Sequence, residues 1–149
     1  MEKEQLLQIA RDCGFETVAE LDVSTLKALP EVRDMCAVNT CGKYDACWSC
    51  PPGCGEIDEC AAKMKQYAHG ILVQTVGDIE DSLDFEGIME VKEQHDERYR
   101  ECVGKLKELI DDLLPLADGS CTLCAKCAYP DEPCRFPDKS MSSMEAFGL

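Results

Sequence analysis

Histidines, basic residues and long apolar runs are all scarce in this chain, and each scarcity closes off a class of function. The 149 residues hold only two histidines, His69 and His95, both on stretches that read as helical, which argues against a Rieske centre or a His-rich zinc site. Lysine and arginine total 15 against 30 acidic residues, a formal charge of -15, with an isoelectric point near 4.4. A chain so charged repels phosphate backbones, which argues against a nucleic-acid partner. No apolar run approaches the roughly 18 residues of a membrane span, and mean hydropathy is -0.24. Met1-Glu2-Lys3-Glu4-Gln5 lacks the basic-then-apolar layout of a signal peptide, so the expected compartment is cytoplasmic. Without a Gly-x-Gly-x-x-Gly loop, NAD or FAD would have to sit on a partner. The radical-type order Cys-x3-Cys-x2-Cys is absent, as is the Pro-Cys-x2-Cys half of a zinc-deaminase signature. With no evident nucleophile–base pair either, the chain reads as an electron carrier or accessory protein rather than an enzyme.

What the chain has in abundance is cysteine, with twelve. Such density means a disulfide scaffold or a metal protein, and a reducing compartment disfavours lasting disulfides. Six of them (Cys36, Cys41, Cys47, Cys50, Cys54, Cys60) fall in one stretch and four (Cys121, Cys124, Cys127, Cys134) in another, with Cys13 and Cys102 alone. Clustering of this kind lets several short side chains reach one ion or cluster.

Around these blocks the pattern predicts a small α+β fold, a short sheet flanked by helices with two cysteine-rich metal-binding loops, in one domain over residues 1–149. Leu6, Leu7, Ile9 and Ala10 line one face of a helix over 2–12 that Gly14 stops. Ser24 is placed as the cap of a short helix ending at Leu29, which Pro30 interrupts. Residues 36–55 read as a loop wrapped around something. A helix over 58–69 leads into the strand Ile71–Val76. A long helix from about Glu86 to Leu114 carries the stripe Tyr99, Cys102, Val103, Leu106, Leu109, Ile110, Leu113 and Leu114. Cys102 and Cys13 continue apolar faces and are expected to pack as small hydrophobes, as is Cys60 beside Met64 and Tyr67.

Cys121-x2-Cys124-x2-Cys127 is the strongest chemical signal. A structural zinc takes two ligands from one Cys-x2-Cys knuckle, to which a third cysteine three residues on adds little. It suits a cuboidal [4Fe-4S] cluster, whose corner irons take successive thiolates from one turning loop. Cys134 follows Cys127 after six residues, so the run departs from the strict ferredoxin pattern. In the first block Cys36-x4-Cys41-x8-Cys50-x3-Cys54 supplies four thiols, with Cys47 a fifth within reach. That spacing fits zinc nearly as well. Pro51 and Pro52 stiffen this loop and withhold backbone donors.

Leu29-Pro30-Glu31-Val32-Arg33 before Cys36, then Cys41, Tyr44 and Trp48-Ser49-Cys50-Pro51-Pro52, resembles an uncharacterised family of predicted metal-binding proteins, DUF2284. The second half of the likeness is Gly119, the Cys121–Cys127 run, Tyr129-Pro130-Asp131, Pro133-Cys134-Arg135-Phe136-Pro137 and Ser143-Met144-Glu145-Ala146. The resemblance implies that Cys36, Cys41, Cys50 and Cys54 form one metal site and Cys121, Cys124, Cys127 and Cys134 the other. It also implies a chain continuing past Leu149 to a final strand, so this C-terminus looks short, and Cys47 stands outside the family's requirement.

Near a cluster carrying about -2 with its thiolates, a cation eases desolvation and raises the potential. Arg135, between Cys134 and Phe136, is the expected cofactor-side cation, ahead of Lys43 and Lys126. Trp48, Tyr44 and Phe136 are candidates to shield clusters from water. The expected function is one-electron transfer by two [4Fe-4S] clusters to a partner oxidoreductase with a basic docking surface. The alternative is a zinc- or cluster-stabilised docking, structural or metal-carrier module. Exchange of fourth ligands between the sites would involve Cys54 and Cys134.

Overall fold

The computed structural model describes residues 3–118, 121, 123–136 and 141–149. Contacts divide the chain into two compact units, Met1–Leu21 with His69–Leu113, and Asp22–Ala68 with Leu114–Leu149. No helix among the described residues is long and apolar enough to cross a membrane. Helices and small sheets together make the fold α+β.

In the first unit α1 (Lys3–Asp12) buries Leu7 and Ala10, as its apolar spacing requires. Gly14 ends it with φ at +99°, a conformation that favours glycine. The chain then forms β1 (Thr17–Leu21), which the sequence pattern does not announce. It pairs antiparallel with β2 (Gly70–Gln74) in the register Thr17↔Gln74 to Leu21↔Gly70. Pairing sets Val18 opposite Val73, and both pack on a core of Ala10, Cys13, Phe15, Cys102 and Leu106. Each fully buried Leu or Phe there contributes roughly 2 kcal/mol. Glu16 accepts from the backbone N–H of Val76 at 3.0 Å and pairs with Arg98 at 2.9 Å. The Val76 bond, above all, holds its carboxyl below the usual range.

The long helix, α4 (Phe85–Leu109), begins where the Asp84 carboxylate accepts the Gly87 N–H at 3.0 Å. Its buried face is Cys102, Val103 and Leu106. It stops five residues short of the expected Leu114, at an extended Ile110, and Leu109 is left 48% exposed. Asp111 and Asp112 would have placed like charge on the negative end of the helix dipole. Cys13 and Cys102 pack together as small buried groups. Burial is the main reason both thiols are pushed up, Cys102 to about 12.

The second unit starts with a single 3-10 turn, Val23–Thr25, capped by the Asp22 carboxylate rather than by Ser24. Pro30 does not interrupt a helix but opens one, α2 (Pro30–Ala37). Its missing N–H is an orphan at the first helical position and its φ is already helical. Cys36 therefore sits in a last helical turn and not in a loop. α3 (Ile57–Met64) tightens into turns at Lys65–Tyr67 before the expected end at His69. β3 (Leu116–Ala117) and β4 (Ser142–Ser143) form a short parallel pair, followed by a 3-10 turn, Glu145–Phe147. Cys60, Met64, Ala146 and Phe147 make the core, with Cys54 packed against it. Gly148, at φ +83°, lies where a Cβ would come within 2.5 Å of the Leu29 nitrogen, and its carbonyl accepts the Leu29 N–H at 3.0 Å.

Candidate metal centre

Both cysteine blocks belong to the second unit. After α2 the chain turns through left-handed Asn39, Gly42 and Asp45, an arrangement that Asn and Asp tolerate and Gly welcomes. The Asn39 side chain accepts the Tyr44 N–H at 3.0 Å, and Asp45 N–H reaches the Pro51 carbonyl at 2.7 Å. Cys54 N–H then returns to the Cys50 carbonyl at 3.1 Å. Backbone bonds of this kind replace regular structure and fix the path of the loop. Cys47 and Cys50 are buried, Cys36 and Cys54 half-buried, and Cys41 exposed.

The first block sorts into two groups of sulfurs. Cys50 is hydrogen-bonded to Cys47, whose sulfur also receives the Ser49 hydroxyl and the backbone N–H groups of Ser49 and Cys50. The Ser49 hydroxyl lies 3.3 Å from the Cys47 sulfur. Those donors, the Cys50 thiol foremost, make Cys47 the more acidic of the pair, while Cys50, facing it and buried, keeps its proton.

The other group gathers about Arg33, on α2. Its Nη2 lies 3.3 Å from the Cys60 sulfur and 3.6 Å from that of Cys54, and the two thiols are hydrogen-bonded to each other. Burial pushes the Cys54 thiol up to about 11, against the pull of Arg33. Cys36 is likewise raised by burial, with Arg33 again the opposing charge.

In the second block the Cys121 N–H donates to the Ser49 hydroxyl at 2.9 Å, so the two blocks meet directly. The Trp48 ring stands edge-on to Tyr129 at 4.8 Å and its N–H donates to the Glu132 carbonyl at 2.9 Å. Tyr129 in turn donates to Asp45, which pushes its phenol up to about 12. Arg135 is exposed; Nη1 donates to the Lys126 carbonyl at 2.9 Å, and the guanidinium bonds the Cys124 thiol with Cys127 also within its field. Cys121, Cys124, Cys127 and Cys134 are half-buried. Lys43 and Lys126 are exposed, and Phe136 is 43% exposed. Gly119 and Pro137 lie outside the described residues.

All twelve cysteines are free thiols. As they stand, no three His, Cys, Asp or Glu side chains among the described residues converge closely enough to hold an ion. The donor set is nonetheless suited to a thiophilic centre: soft ligands in abundance, partial burial, and guanidinium, hydroxyl and amide donors aimed at sulfur. Four features escape a reading of spacing alone. These are the reach of Arg33 to the Cys54 and Cys60 sulfurs, the bond of Ser49 to Cys121, the place of Cys60 beside Cys54, and the Cys47–Cys50 contact, which needs the turn at Ser49.

A family model described as predicted metal-binding protein (DUF2284) matches residues 19–149. No curated protein and no solved structure matches this chain.

Proposed function

The chain belongs to the DUF2284 family of predicted metal-binding proteins, and from that premise we propose that it holds two [4Fe-4S] clusters and passes single electrons to a partner protein. One set of ligands is Cys36, Cys41, Cys50 and Cys54, and the other Cys121, Cys124, Cys127 and Cys134. The observation that carries the reading is the direct junction of the two blocks, Cys121 N–H on the Ser49 hydroxyl, in a unit where every cysteine is a free thiol. Such clusters, when bound, cycle one electron with little change of geometry.

This chain's own residues would tune that chemistry. Arg135 beside Cys124 and Arg33 beside Cys54 supply positive charge where thiolates would be. Cations and hydrogen-bond donors at ligand sulfurs raise a cluster's potential. An overall charge of -15 favours a partner with a basic docking face, reached by salt-sensitive encounter.

Anaerobic purification, with iron, sulfide and zinc counted per chain and spectra taken before and after dithionite, tests this. About eight iron and eight sulfide with a reversibly bleaching visible band is the expected result. Two zinc in a colourless protein would overturn it in favour of a structural, docking or carrier module.

A further inference from the structure

Arg33 is a half-buried cation that makes no direct ion pair with a carboxylate among the described residues. Its donors are taken by neutral or potentially anionic atoms. Nε and Nη2 donate to the Ala146 carbonyl at 3.0 and 2.6 Å, and Nη1 to the Gly55 carbonyl at 2.7 Å. Nη2 also faces the Cys60 and Cys54 sulfurs at 3.3 and 3.6 Å. Carbonyls satisfy the hydrogen bonds of a guanidinium but leave its charge uncompensated, and an uncompensated charge away from water is unfavourable. The thiols of Cys54 and Cys60 beside it are able to become anions, as is that of Cys36 within its field. Metal ligation does that to a cysteine, because the bound form is the thiolate.

The surroundings hold this pair in place. Cys60 is 2% exposed, on α3, in the core with Met64, Ala146 and Phe147. Its sulfur also lies 3.8 Å from the Cys54 carbonyl. Two sulfurs from separate elements, in contact, under one planar cation that is itself pinned by two backbone carbonyls, form a built arrangement. Packing alone calls for no arginine at Cys60: a core cysteine behaves as a small hydrophobe.

We propose that Cys60 is a metal ligand alongside Cys54, forming a two-thiolate claw for a thiophilic metal centre, and that Arg33 is the positioning residue that offsets the charge of the pair. The assignment rests on the metal-binding reading above and adds a ligand that neither the block spacing nor the resemblance includes. Cys36, within the field of Arg33, is a further thiol near the same cation.

The test uses the full chain, freed of metal and reduced, and loaded with cadmium alone as a spin-half isotope. Scalar coupling from cadmium to β-protons identifies its cysteine ligands without any substitution. Coupling to Cys54 and Cys60 together is expected. Coupling to other cysteines with none to Cys60 overturns the proposal and leaves metal binding by the blocks standing. Failure of the chain to take up cadmium overturns both. In parallel, Arg33→Gln is expected to weaken cadmium binding by about tenfold, in the range of second-layer partners of metal ligands, with Arg33→Lys recovering part of it. Unchanged affinity in Arg33→Gln would remove the role given to Arg33.

Discussion

The hydroxyl of Ser49 accepts the backbone N–H of Cys121 at 2.9 Å, across 72 positions of sequence. One buried side chain thereby fastens the first residue of the second cysteine block to the turn that presents Cys47 and Cys50. The same oxygen stands 3.3 Å from the Cys47 sulfur and 3.8 Å from that of Cys50, so both blocks share it. Ser49→Ala should leave the Cys121 N–H without its partner, a loss of about 1–2 kcal/mol. Hydrogen exchange at the Cys121 amide would then speed up by roughly tenfold. Exchange no faster than in the parent would show that the bond does not tie the blocks.

Gly53 makes a second tie between the blocks by having no side chain. A Cβ there would stand 2.7 Å from the Tyr129 ring and 2.8 Å from the Cys47 carbonyl. Gly53→Ala should be destabilised by about 1–3 kcal/mol through this overpacking. Adding Tyr129→Ala should restore only part of the loss, since the carbonyl contact remains. Urea denaturation of the two variants, read by a probe in this unit, decides the matter, and full restoration would mean that the ring alone crowds the site.

Cys102 links pH to the stability of the first unit. Burial, first of all, pushes its thiol from an ordinary 9.0 up to about 12. The unfolded chain therefore releases this proton first, so between those values the native state holds more protons and stability falls as pH rises. The contribution is intact below pH 9.0 and falls by about 1.4 kcal/mol per pH unit above it at most. Cys102→Ala should flatten that alkaline slope in denaturant titrations at stepped pH; an unaltered slope would assign it to other groups.

Removing metal should affect the two units unequally. All ten clustered cysteines lie in the second unit, whereas the first has its own core of Ala10, Cys13, Phe15, Cys102 and Leu106. Where metal binding supplies folding free energy, a chelator takes it from the unit that holds the ligands. Amides of residues 39–60 are expected to lose protection on chelation while those of α4 keep theirs. Equal loss in both, or none in either, would contradict this division.

Local periodicity made much of the framework legible. The apolar spacing of α1, the β-branched run of β2 and the stripe through Tyr99, Cys102, Val103 and Leu106 each depend on neighbours a few residues away, and these appear close to where the pattern puts them, β2 running Gly70–Gln74 where the pattern gives Ile71–Val76. Element ends fared less well, because caps and charges compete there: Pro30 opens a helix, and α4 stops before Asp111. β1 had no strong alternation of its own and exists through its pairing with β2.

By itself, then, the sequence determined the chemistry on offer. Twelve cysteines in two dense blocks, few histidines and a strongly acidic remainder define a thiol-rich metal-binding chain, since ligand type is a property of residues and not of their arrangement. Only the tertiary structure decided which thiols keep company. Arg33 reaches Cys54, Cys60 and the Ala146 carbonyl, the last of them 113 positions away. The Ser49 hydroxyl likewise finds Cys121 far along the chain. Such contacts are set by the packing of α2, α3 and the final turn around Phe147, and no local pattern encodes a distance between segments that only a shared core brings together.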